Sequence, residues 1–559
     1  MSQNTSVGNA NFKLNYKRTF LVGLAFFLIC LFWGVYDAIV ALTLTNKFGL
    51  SQTWSGLILA LDNIFALFML PIFGTLSDKS KGPLTKRWGK RTPFVMIGTI
   101  VAVICFVGMF AIDTAQIAIL DDLQDQNTVA QNLWNSNVVV ENPFYQDEDN
   151  ALSTIINWFD TNTVQNVPDG FNTTLERGTV QQLFDQSVSQ VDFYSLTPKD
   201  GELFTEIVVP MRNAMAKQLT SENSTYLVWF VITLLLALIS MATFRSPAVA
   251  LMPAVTIKPL RSKANAIINI MGTLGGAMVL AFGMVFDTSS PYNALMSYLP
   301  YVFVVSGIML VALFVFKLTI NEPKLVEEME EISQKFGLDK VEEEIQNQTE
   351  QTRGVKMPKA KLVSLLLLMA SIFFWFFGYN AITSKFSVYA TNVLQTNFNL
   401  ALIVAQISAL IAFLPAGMLA SKIGRKTTIL GGIVLLAVCF FLGNFVTSKS
   451  GWIMFVLFAL AGVAWASINC NSLPMVVELA TGADVGKYTG WYYFASMAAQ
   501  SITPIFSGFL MDQIGMKGVL FPYGAFFVAL SFVTMLFVRH GDSKVEMPKD
   551  VLDALGDAD

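Results

Sequence analysis

Four ionisable side chains lie within long apolar stretches of the sequence: Asp37, Asp62, Arg245 and Lys385. A charge near the middle of a bilayer costs roughly 2.5–3.5 kcal/mol on insertion scales, so such residues tend to face a cavity or a partner. A carboxyl group that is shielded from water and close to a second one can exchange a proton near neutral pH. We therefore predict Asp37 and Asp62 as cation-coupling residues, with a buried salt bridge as the alternative for Asp62.

The two cations of this set differ in their surroundings. Arg245 precedes a segment that is broken by Pro247 and Pro253, and its guanidinium can pair with a carboxylate or donate to hydroxyl groups of a solute. Lys385 lies near the end of its apolar stretch, where a lysine can extend its ammonium group to the membrane surface. We expect solute contact from Arg245 and surface exposure from Lys385.

Aromatic and amide side chains also interrupt the apolar stretches. Aromatic rings can cover the apolar face of a sugar ring while amides bond its hydroxyl groups, although any single aromatic residue can simply pack in the core. Asn469 and Asn471 precede Pro474, so two amides stand beside a break in a helix. The predicted substrate-binding residues are Trp33, Tyr36, Arg245, Asn380, Gln406, Trp465, Asn469, Asn471 and Tyr492, and Tyr379 offers the same chemistry.

Charged residues between the apolar stretches predict a gate. Charge pairs here can form when one side of the protein is shut and break when it opens. The predicted gate residues are Asp78, Arg87, Gly89, Arg91 and Arg425. For Lys79, Lys81 and Lys86 we prefer the simpler interpretation, a basic loop on the cytoplasmic side.

The elements that must position these residues are membrane helices. Of the 559 residues 54% are hydrophobic and 14% charged, against roughly 25% charged in soluble proteins, and the mean hydropathy is +0.54. A bilayer core about 30 Å thick needs about 20 apolar residues of helix. Stretches of that kind lie near 19–43, 54–76, 94–113, 226–254, 264–286, 298–320, 362–385, 400–420, 428–446, 452–480, 490–513 and 519–538. The predicted fold class is an all-α integral membrane protein with twelve transmembrane helices.

Several kinds of chemistry are excluded by what the sequence lacks. The only histidine is His540, just past the last apolar stretch, and the four cysteines lie inside apolar stretches without metal-site spacing. The chain has no GxxxxGK[ST] motif for nucleotide phosphates. We predict no enzyme activity, no cofactor and no metal, which leaves ion coupling or facilitated diffusion.

Basic residues are concentrated in alternate loops, which predicts that both termini face the cytoplasm. No retention or lipidation motif is present in the sequence, so we expect a multi-pass protein of the plasma membrane. Residues 1–18 and 539–559 are then cytoplasmic tails, and the first apolar stretch is too long for a signal peptide. The segment 114–225 becomes an acidic extracytoplasmic insert. Its run Asp147-Glu148-Asp149 lacks the spacing of a calcium loop, so we interpret it as solvated surface.

The chain also repeats itself. Phe32-Trp33-Gly34-Val35-Tyr36-Asp37-Ala38-Ile39 is echoed by Phe374-Trp375-Phe376-Phe377-Gly378-Tyr379-Asn380-Ala381-Ile382. The repeat predicts two six-helix bundles, 19–320 and 362–538. The linker 321–361 carries Leu325, Met329, Ile332 and Phe336 at helical spacing, which predicts an amphipathic helix beneath the bundles.

Two motifs carry a resemblance to known transporters. Gly74 and Asp78, a basic spacer and then Arg87-Trp88-Gly89-Lys90-Arg91-Thr92-Pro93-Phe94 resemble the loop 2–3 signature of the major facilitator superfamily. More narrowly, they resemble the version shared by glycoside-pentoside-hexuronide:cation symporters and sucrose:proton symporters. The segments 245–253 and 261–266 are similar to the region of the fourth and fifth helices in the same carriers.

This resemblance covers nearly the whole chain outside 114–225 and implies the major facilitator fold. It also implies that the protein is a symporter of a sugar, either an oligosaccharide or a glycoside, and works by alternating access. Melibiose-type relatives carry an aspartate at the place of Asp37, and the arginine of sucrose carriers that matches Arg245 belongs to their transport path. Sucrose carriers usually have an acidic residue shortly after that arginine, where this chain has Pro253-Ala254. The paired aspartates of many melibiose-type carriers are replaced by the apolar run 66–70, which favours protons over sodium.

The predicted partners are therefore a small-molecule sugar, a proton or sodium ion and the lipid bilayer. We predict a monomer that binds no nucleic acid. A proton-coupled exporter of drugs or metabolites on the same fold is the alternative, since fold alone does not determine cargo or direction. A receptor built on a transporter fold is a third.

Overall fold

The computed structural model describes residues 14–127, 216–217, 219–257, 260–290, 296–336, 358–394, 396–447, 450–479 and 485–541. The helices and contacts of the bundle belong to these ranges. Most of the predicted insert, including the run at 147–149, and both predicted tails for most of their length lie outside them.

Within the described residues, twelve helices are long and apolar enough to cross a membrane, which confirms the predicted fold class. In chain order, with two short helices α3 and α8, the elements are α1 Tyr16–Lys47, α2 Gln52–Lys79, α3 Pro83–Trp88, α4 Thr92–Asn127, α5 Thr225–Val255, α6 Arg261–Val285, α7 Leu299–Thr319, α8 Glu322–Lys335, α9 Lys359–Asn392, α10 Phe398–Ile423, α11 Arg425–Gly443, α12 Ile453–Leu479, α13 Val485–Ile514 and α14 Met516–Leu536. α1 changes to π-helical turns at Tyr36–Val40 and Thr43–Lys47. Local capping fixes several starts: Asn15, Ser51 and Asn397 accept backbone hydrogen bonds at the beginnings of α1, α2 and α10.

The spanning helices form two six-helix halves. In the first half α1 packs on α6 and α4 on α5; in the second, α9 packs on α14 and α10 on α12. The halves meet where α2 packs on α13 and α6 on α10. We call the side of the bundle that holds residues 14 and 541 the terminal side, and the side that holds the α1–α2 connection the distal side.

Polar contacts join the two halves on the distal side. Asn46 at the end of α1 and Asn392 at the end of α9 are buried and exchange hydrogen bonds of 3.0 and 3.4 Å. Asn399 of α10 donates to Thr288, just past α6, at 2.9 Å. The distal ends of four helices from both halves are therefore held together.

The start of α2 is a second distal contact. Asp512 near the end of α13 accepts hydrogen bonds from the backbone N–H groups of Gln52 at 2.7 Å and Thr53 at 2.8 Å. A carboxylate in this position is favoured by the helix dipole and by two backbone donors that lack intrahelical partners. The α2–α13 contact is thus both apolar and electrostatic.

Lys385 does not reach the membrane surface as we expected. Its side chain is fully buried, and its ammonium group donates to the carbonyl oxygen of Gln52 at 3.1 Å and to the hydroxyl group of Ser55. Asp512 lies within electrostatic range. The prediction was wrong because both acceptors belong to α2, remote in sequence, and satisfy the cation inside the protein while Asp512 of α13 adds a favourable charge.

The third membrane helix is longer than the sequence predicts. α4 continues past 113, and its apolar span runs to Leu120. Asp113 does not end the helix, because its carboxylate is buried and accepts a hydrogen bond from Lys47 Nζ at 2.8 Å. Lys47, which follows the predicted stretch 19–43, lies in the last turn of α1, and its Nζ atom is 3.5 Å from the centroid of the Tyr298 ring.

We expect removal of one partner of this ion pair to destabilise the protein. Lys47 and Asp113 are 1% and 0% exposed, so Asp113→Ala leaves an uncompensated buried ammonium group. The expected loss is about 3–5 kcal/mol in the free energy of unfolding, measured as a lower melting temperature of the purified protein. Arg18–Glu328, whose side chains are 30% and 40% exposed, provides the control: Glu328→Ala should cost less than about 1 kcal/mol. Equal losses would contradict the burial argument.

The predicted linker helix is α8, and it packs against the first half. Leu325 and Val326 contact the core, while Ile332 and Phe336, assigned to the same apolar face, are exposed. Arg18 of α1 pairs with Glu328 at 2.7 Å. The helix is therefore anchored at its beginning, and its apolar face is covered only there.

Candidate transport site

A cavity of about 600 Å³ lies between the two halves. α1 and α6 line it from the first half, and α9, α10, α11 and α12 line it from the second. Five predicted site residues contribute to its wall: Trp33, Asp37, Gln406, Trp465 and Asn469. The cavity is bounded towards the distal side by the contacts between the halves.

Asp37 presents its carboxylate to this cavity. It lies in the π-helical turn Tyr36–Val40 of α1, and its side chain is exposed although the residues on both sides are buried. Single π-helical turns within membrane or soluble helices often mark functional sites, because they rotate one side chain out of the regular pattern. Among the described residues that line the cavity, Asp37 is the only one with a carboxylate.

Asp62 and Arg245 form a charged layer behind this wall. Asp62 lies within electrostatic range of both Asp37 and Arg245, and its carboxylate accepts a hydrogen bond from the side-chain amide of Asn63 at 2.6 Å. Neither Asp62 nor Arg245 is among the residues that line the cavity. The two predicted coupling carboxylates are thus neighbours, but only one faces the cavity.

Trp33 connects the charged layer to the cavity. The Arg245 guanidinium carbon lies 5.6 Å from the centroid of the Trp33 ring, a cation–π distance. Trp33 also packs edge-on against Tyr36, with ring centroids 5.3 Å apart. A change of charge or position at Arg245 would therefore alter the cation–π contact with Trp33, an aromatic ring that lines the cavity.

Two stacked rings face the cavity from the second half. Tyr379 of α9 and Trp465 of α12 have ring centroids 4.0 Å apart and planes only 12° from parallel. Tyr379 lies within electrostatic range of Asp37. Aromatic surfaces from both halves, Trp33 on one side and this pair on the other, thus enclose the carboxylate.

Besides Arg245, four predicted substrate-binding residues do not line the cavity. Tyr36 donates its hydroxyl to the Leu59 carbonyl at 3.2 Å, and Asn380 donates its amide to the Phe376 carbonyl at 2.7 Å. Asn471 donates to the Ser467 carbonyl at 3.0 Å, and the Tyr492 hydroxyl is paired with Ser472. Their polar groups hold helices in this conformation, so a substrate role for them remains a prediction without geometric support.

Three polar residues of the cavity wall are not among the predicted site residues: Asn269, Thr273 and Thr383. Asn265, Asn269 and Thr273 recur every four residues along α6, a spacing that places them on one face of a helix. This polar stripe in an otherwise apolar helix indicates, from the sequence alone, a face that lines a polar cavity. Gly276 continues the stripe and leaves room for the Gln406 amide, which a Cβ there would approach to 3.4 Å.

Three predicted gate residues, Asp78, Arg91 and Arg425, form ion pairs on the terminal side. Arg91 pairs with Asp78 at 2.9 Å, and its guanidinium also lies 3.7 Å from the Glu322 carboxylate. Arg425 pairs with Glu478 at 2.8 Å within the second half. Each pair joins residues of one half or of α8, while the contacts between halves named above lie on the distal side. The acidic partners Glu322 and Glu478 were missed because they are distant in sequence.

Glu322 binds the start of α4. Its carboxylate accepts hydrogen bonds from the backbone N–H groups of Lys90, Arg91 and Thr92 at 2.8–3.1 Å and from the Thr92 hydroxyl at 2.9 Å. It therefore caps α4 from outside the helix. The same contact connects α8 to residues 80–91 between α2 and α4, which we call the gate loop. Gly89, with φ +97°, lets the backbone approach the carboxylate this closely.

We expect Gly89→Ala to weaken this attachment. The left-handed φ disfavours alanine, and the added Cβ would overlap the Glu322 side chain. The expected loss is about 1–3 kcal/mol in the free energy of unfolding, measured by thermal unfolding of the purified protein. Gly82→Ala in the same loop is the control, since Gly82 has a φ of −71° and no atom within 4 Å of an added Cβ. Indistinguishable effects of the two variants would contradict this account of Gly89.

Arg87 makes a different contact from the other gate residues. Its guanidinium carbon lies 6.0 Å from the centroid of the Trp88 ring, and Lys317 Nζ lies 4.4 Å from the same ring. Its part in a gate therefore stays a prediction.

Solved structures share this architecture. The inward open conformation of the xylose transporter XylE from E. coli superposes with a TM-score of 0.56 and 15% sequence identity, covering 95% of this chain and 97% of that one. A D-xylose-proton symporter superposes with a TM-score of 0.51 and 13% identity, covering 94% of this chain and 98% of that one. At such identities the similarity establishes the fold.

The family follows from the sequence match. The model of the MFS_1 like family matches residues 32–523, which extend from α1 into α14. The chain therefore belongs to the MFS_1 like family: it is a major facilitator transporter with twelve membrane helices, not an enzyme.

Proposed function

We propose that this protein is a secondary active transporter that couples uptake of a sugar, an oligosaccharide or glycoside, to a proton gradient. The observation that carries the proposal is the cavity between the halves, where aromatic rings from both halves surround one carboxylate. Trp33 and the stacked pair Tyr379–Trp465 offer flat apolar faces, while amides and hydroxyls lie between them. This combination suits a polyhydroxylated ring with two apolar faces and a polar edge.

The amide groups of the wall supply the hydrogen bonds that such a solute needs. Asn269 comes from the first half, and Gln406 and Asn469 come from the second. The buried Oε1 atom of Gln406 has no hydrogen-bond partner in the described structure, so its acceptor capacity is free. A solute bonded by both halves at once would be released when they separate, as alternating access requires.

Coupling is assigned to Asp37, with Asp62 and Arg245 as its electrostatic neighbours. A carboxyl group at the cavity wall can take a proton from one side and release it to the other as the halves rock. Arg245 stabilises negative charge on Asp62 and, through Trp33, senses occupancy of the cavity. The coupling ion in this proposal is the proton.

The positive-inside rule, applied to the basic loops, supports a cytoplasmic position for the terminal side. With this orientation, in a plasma membrane, the distal contacts close the external side and the structure is the inward-facing state of the carrier. The terminal-side ion pairs Asp78–Arg91 and Arg425–Glu478 then hold each half in shape while the cytoplasmic side is open. We propose that the transporter works as a monomer.

Export of an apolar cation in exchange for protons is a second candidate. It is favoured by the apolar part of the cavity wall, to which Phe26, Phe413, Phe440 and Phe458 contribute. A single carboxylate among aromatic side chains is a common arrangement for binding an apolar cation. The polar stripe of α6 and the three amides favour the sugar.

Uptake of labelled sugars separates these functions. Sucrose, maltose, melibiose and a pentose would be tested in energised vesicles with and without a protonophore, alongside vesicles that lack the protein. We expect accumulation of at least one sugar that collapses with the protonophore. No uptake of any sugar, together with proton-dependent efflux of a cationic dye, would overturn the sugar proposal in favour of export.

A further inference from the structure

Two cations converge on one aromatic ring at the terminal side of the first half. Lys317 Nζ lies 4.4 Å and the Arg87 guanidinium carbon 6.0 Å from the Trp88 ring centroid. Lys317 belongs to the last turn of α7, whereas Arg87 and Trp88 end the short helix α3. The two charges are close enough to repel each other, so their approach costs free energy unless an anion offsets it.

Neither cation has an acidic partner among the described residues, where the ion pairs of this region go to Arg91 and Arg18 instead. Glu322, which binds the same loop, is 2% exposed and accepts hydrogen bonds from three backbone N–H groups. Exposed Lys86 and Lys90 add further positive charge beside Arg87. The ring and its two cations therefore form an anion site that the described part of the protein does not fill.

The surroundings of this site are those of a membrane surface. Phe314 and Leu318, in the last two turns of α7, are 64% and 69% exposed, and Leu84 of α3 is 48% exposed. Phe314 and Leu318 lie three residues before and one residue after Lys317 in α7, and Leu84 lies three residues before Arg87 in α3, so exposed apolar side chains accompany both cations. A tryptophan beside the end of a membrane helix, as Trp88 lies beside the end of α7, suits the headgroup region, because its ring is apolar and its N–H is polar.

We propose that Arg87, Trp88 and Lys317 bind the headgroup of an anionic phospholipid. The guanidinium of Arg87 can bond two phosphate oxygens, and the Lys317 ammonium supplies a point charge to the same group. The acyl chains then run along Phe314 and Leu318, which a soluble phosphate would leave uncovered. The site joins α7 to the gate loop, so a bound lipid fastens the gate to the membrane surface.

Native mass spectrometry of the full-length protein in detergent tests this site. Phosphatidylglycerol and phosphatidylcholine with identical acyl chains would be titrated separately, and glycerol phosphate would be added as a soluble competitor. We expect tighter binding of phosphatidylglycerol and little competition. In Arg87→Gln/Lys317→Gln the affinity for the first phosphatidylglycerol should fall about thirtyfold, because in this proposal each of the two cations contacts the headgroup directly and contributes a factor of about five.

A matched control removes the same number of charges from the same loop. Lys79→Gln/Lys81→Gln should change the affinity by less than about threefold, and Arg87→Lys/Lys317→Arg should retain it to a similar extent. If the first double variant unfolds, Arg87→Gln alone, an exposed substitution, should still weaken binding about fivefold.

Three results would overturn the proposal. Equal losses in the two glutamine double variants would mean a diffuse positive surface. Equal affinities for the two lipids would mean that the headgroup charge is not recognised, and full displacement by glycerol phosphate would mean a site for soluble anions.

Discussion

Asp37→Asn should abolish accumulation of the transported sugar while preserving exchange of labelled for unlabelled sugar across the same membrane. Coupling one proton to each sugar at a potential of 100 mV sustains a gradient of about fiftyfold. The variant should bring the internal and external sugar concentrations to a ratio of about one. The measurement is steady-state uptake in energised vesicles, followed by exchange in vesicles preloaded with unlabelled sugar.

The physical reason lies in the position of the side chain. Asp37 is the only carboxylate that lines the cavity between the described helices, and the π-helical turn of α1 turns it towards that cavity. Asparagine keeps the size and hydrogen-bonding capacity of the side chain but cannot carry a proton. Exchange needs no net proton movement, so an uncoupled carrier still catalyses it.

Two controls sharpen this experiment. Asp287→Asn changes an exposed aspartate that lies past the end of α6 and outside the cavity wall, and it should accumulate sugar normally. Asp62→Asn, behind the wall, tests whether the second carboxyl group shares the proton. Protonophore-sensitive accumulation by Asp37→Asn at the wild-type level would show that Asp37 is not the coupling residue, although a sugar symporter would remain.

The helices were predictable because their physics is local. A stretch of about 20 apolar residues satisfies its own backbone hydrogen bonds and has no alternative structure in a bilayer. All twelve stretches read from the sequence are helices that could span a membrane. The ends depend on contacts with other helices: Asp113 marks the end of an apolar stretch in the sequence, but Lys47 of α1 pairs with it inside α4.

Side-chain partners are easier to read from the sequence when they lie on the same helix. Asn380 and Asn471 each donate to a carbonyl four residues earlier, a local contact that offers an amide in an apolar helix an alternative to binding a solute. By contrast, the approach of Arg245 to Trp33 and of Lys385 to α2 depends on how separate helices pack. No spacing within the sequence encodes those distances.

Asp37 and Asp62 show what the sequence can predict about the site and what it cannot. Their types and their depth in two apolar stretches identified them, and the structure places them within electrostatic range of each other. The sequence could not determine which of them faces the cavity, since this depends on the π-helical turn in α1. Residue types therefore identify the candidate site, whereas the rotation of α1 determines which carboxylate faces the cavity.

Linking Asn46→Cys to Asn392→Cys should stop transport completely and reversibly. In this structure the two asparagines join α1 to α9 across the halves through hydrogen bonds of 3.0 and 3.4 Å. A short bifunctional thiol reagent that bridges the two cysteines would hold the distal side shut. A carrier confined to one of its two states cannot move solute across the membrane, so uptake should fall to the level of vesicles without protein.

The variants need a background in which the four native cysteines are replaced, because Cys30 lines the cavity. Both asparagines are buried in this state, so the reagent should react faster while sugar is being transported and the distal side opens. Reduction of the reagent's disulfides should restore uptake. The single variants Asn46→Cys and Asn392→Cys should remain active after the same treatment.

A second pair at the same depth distinguishes closure of the carrier from damage by the link itself. Thr114 and Ser297 are hydrogen-bonded on the distal side, but both belong to the first half. In a carrier whose halves rock as rigid bodies, a link within one half leaves transport intact while a link between halves stops it. Full activity of the linked Asn46→Cys/Asn392→Cys protein would mean that the distal side does not open during transport. Loss of activity in both linked pairs would instead require movement within the first half, so the two pairs together determine which parts of the bundle move.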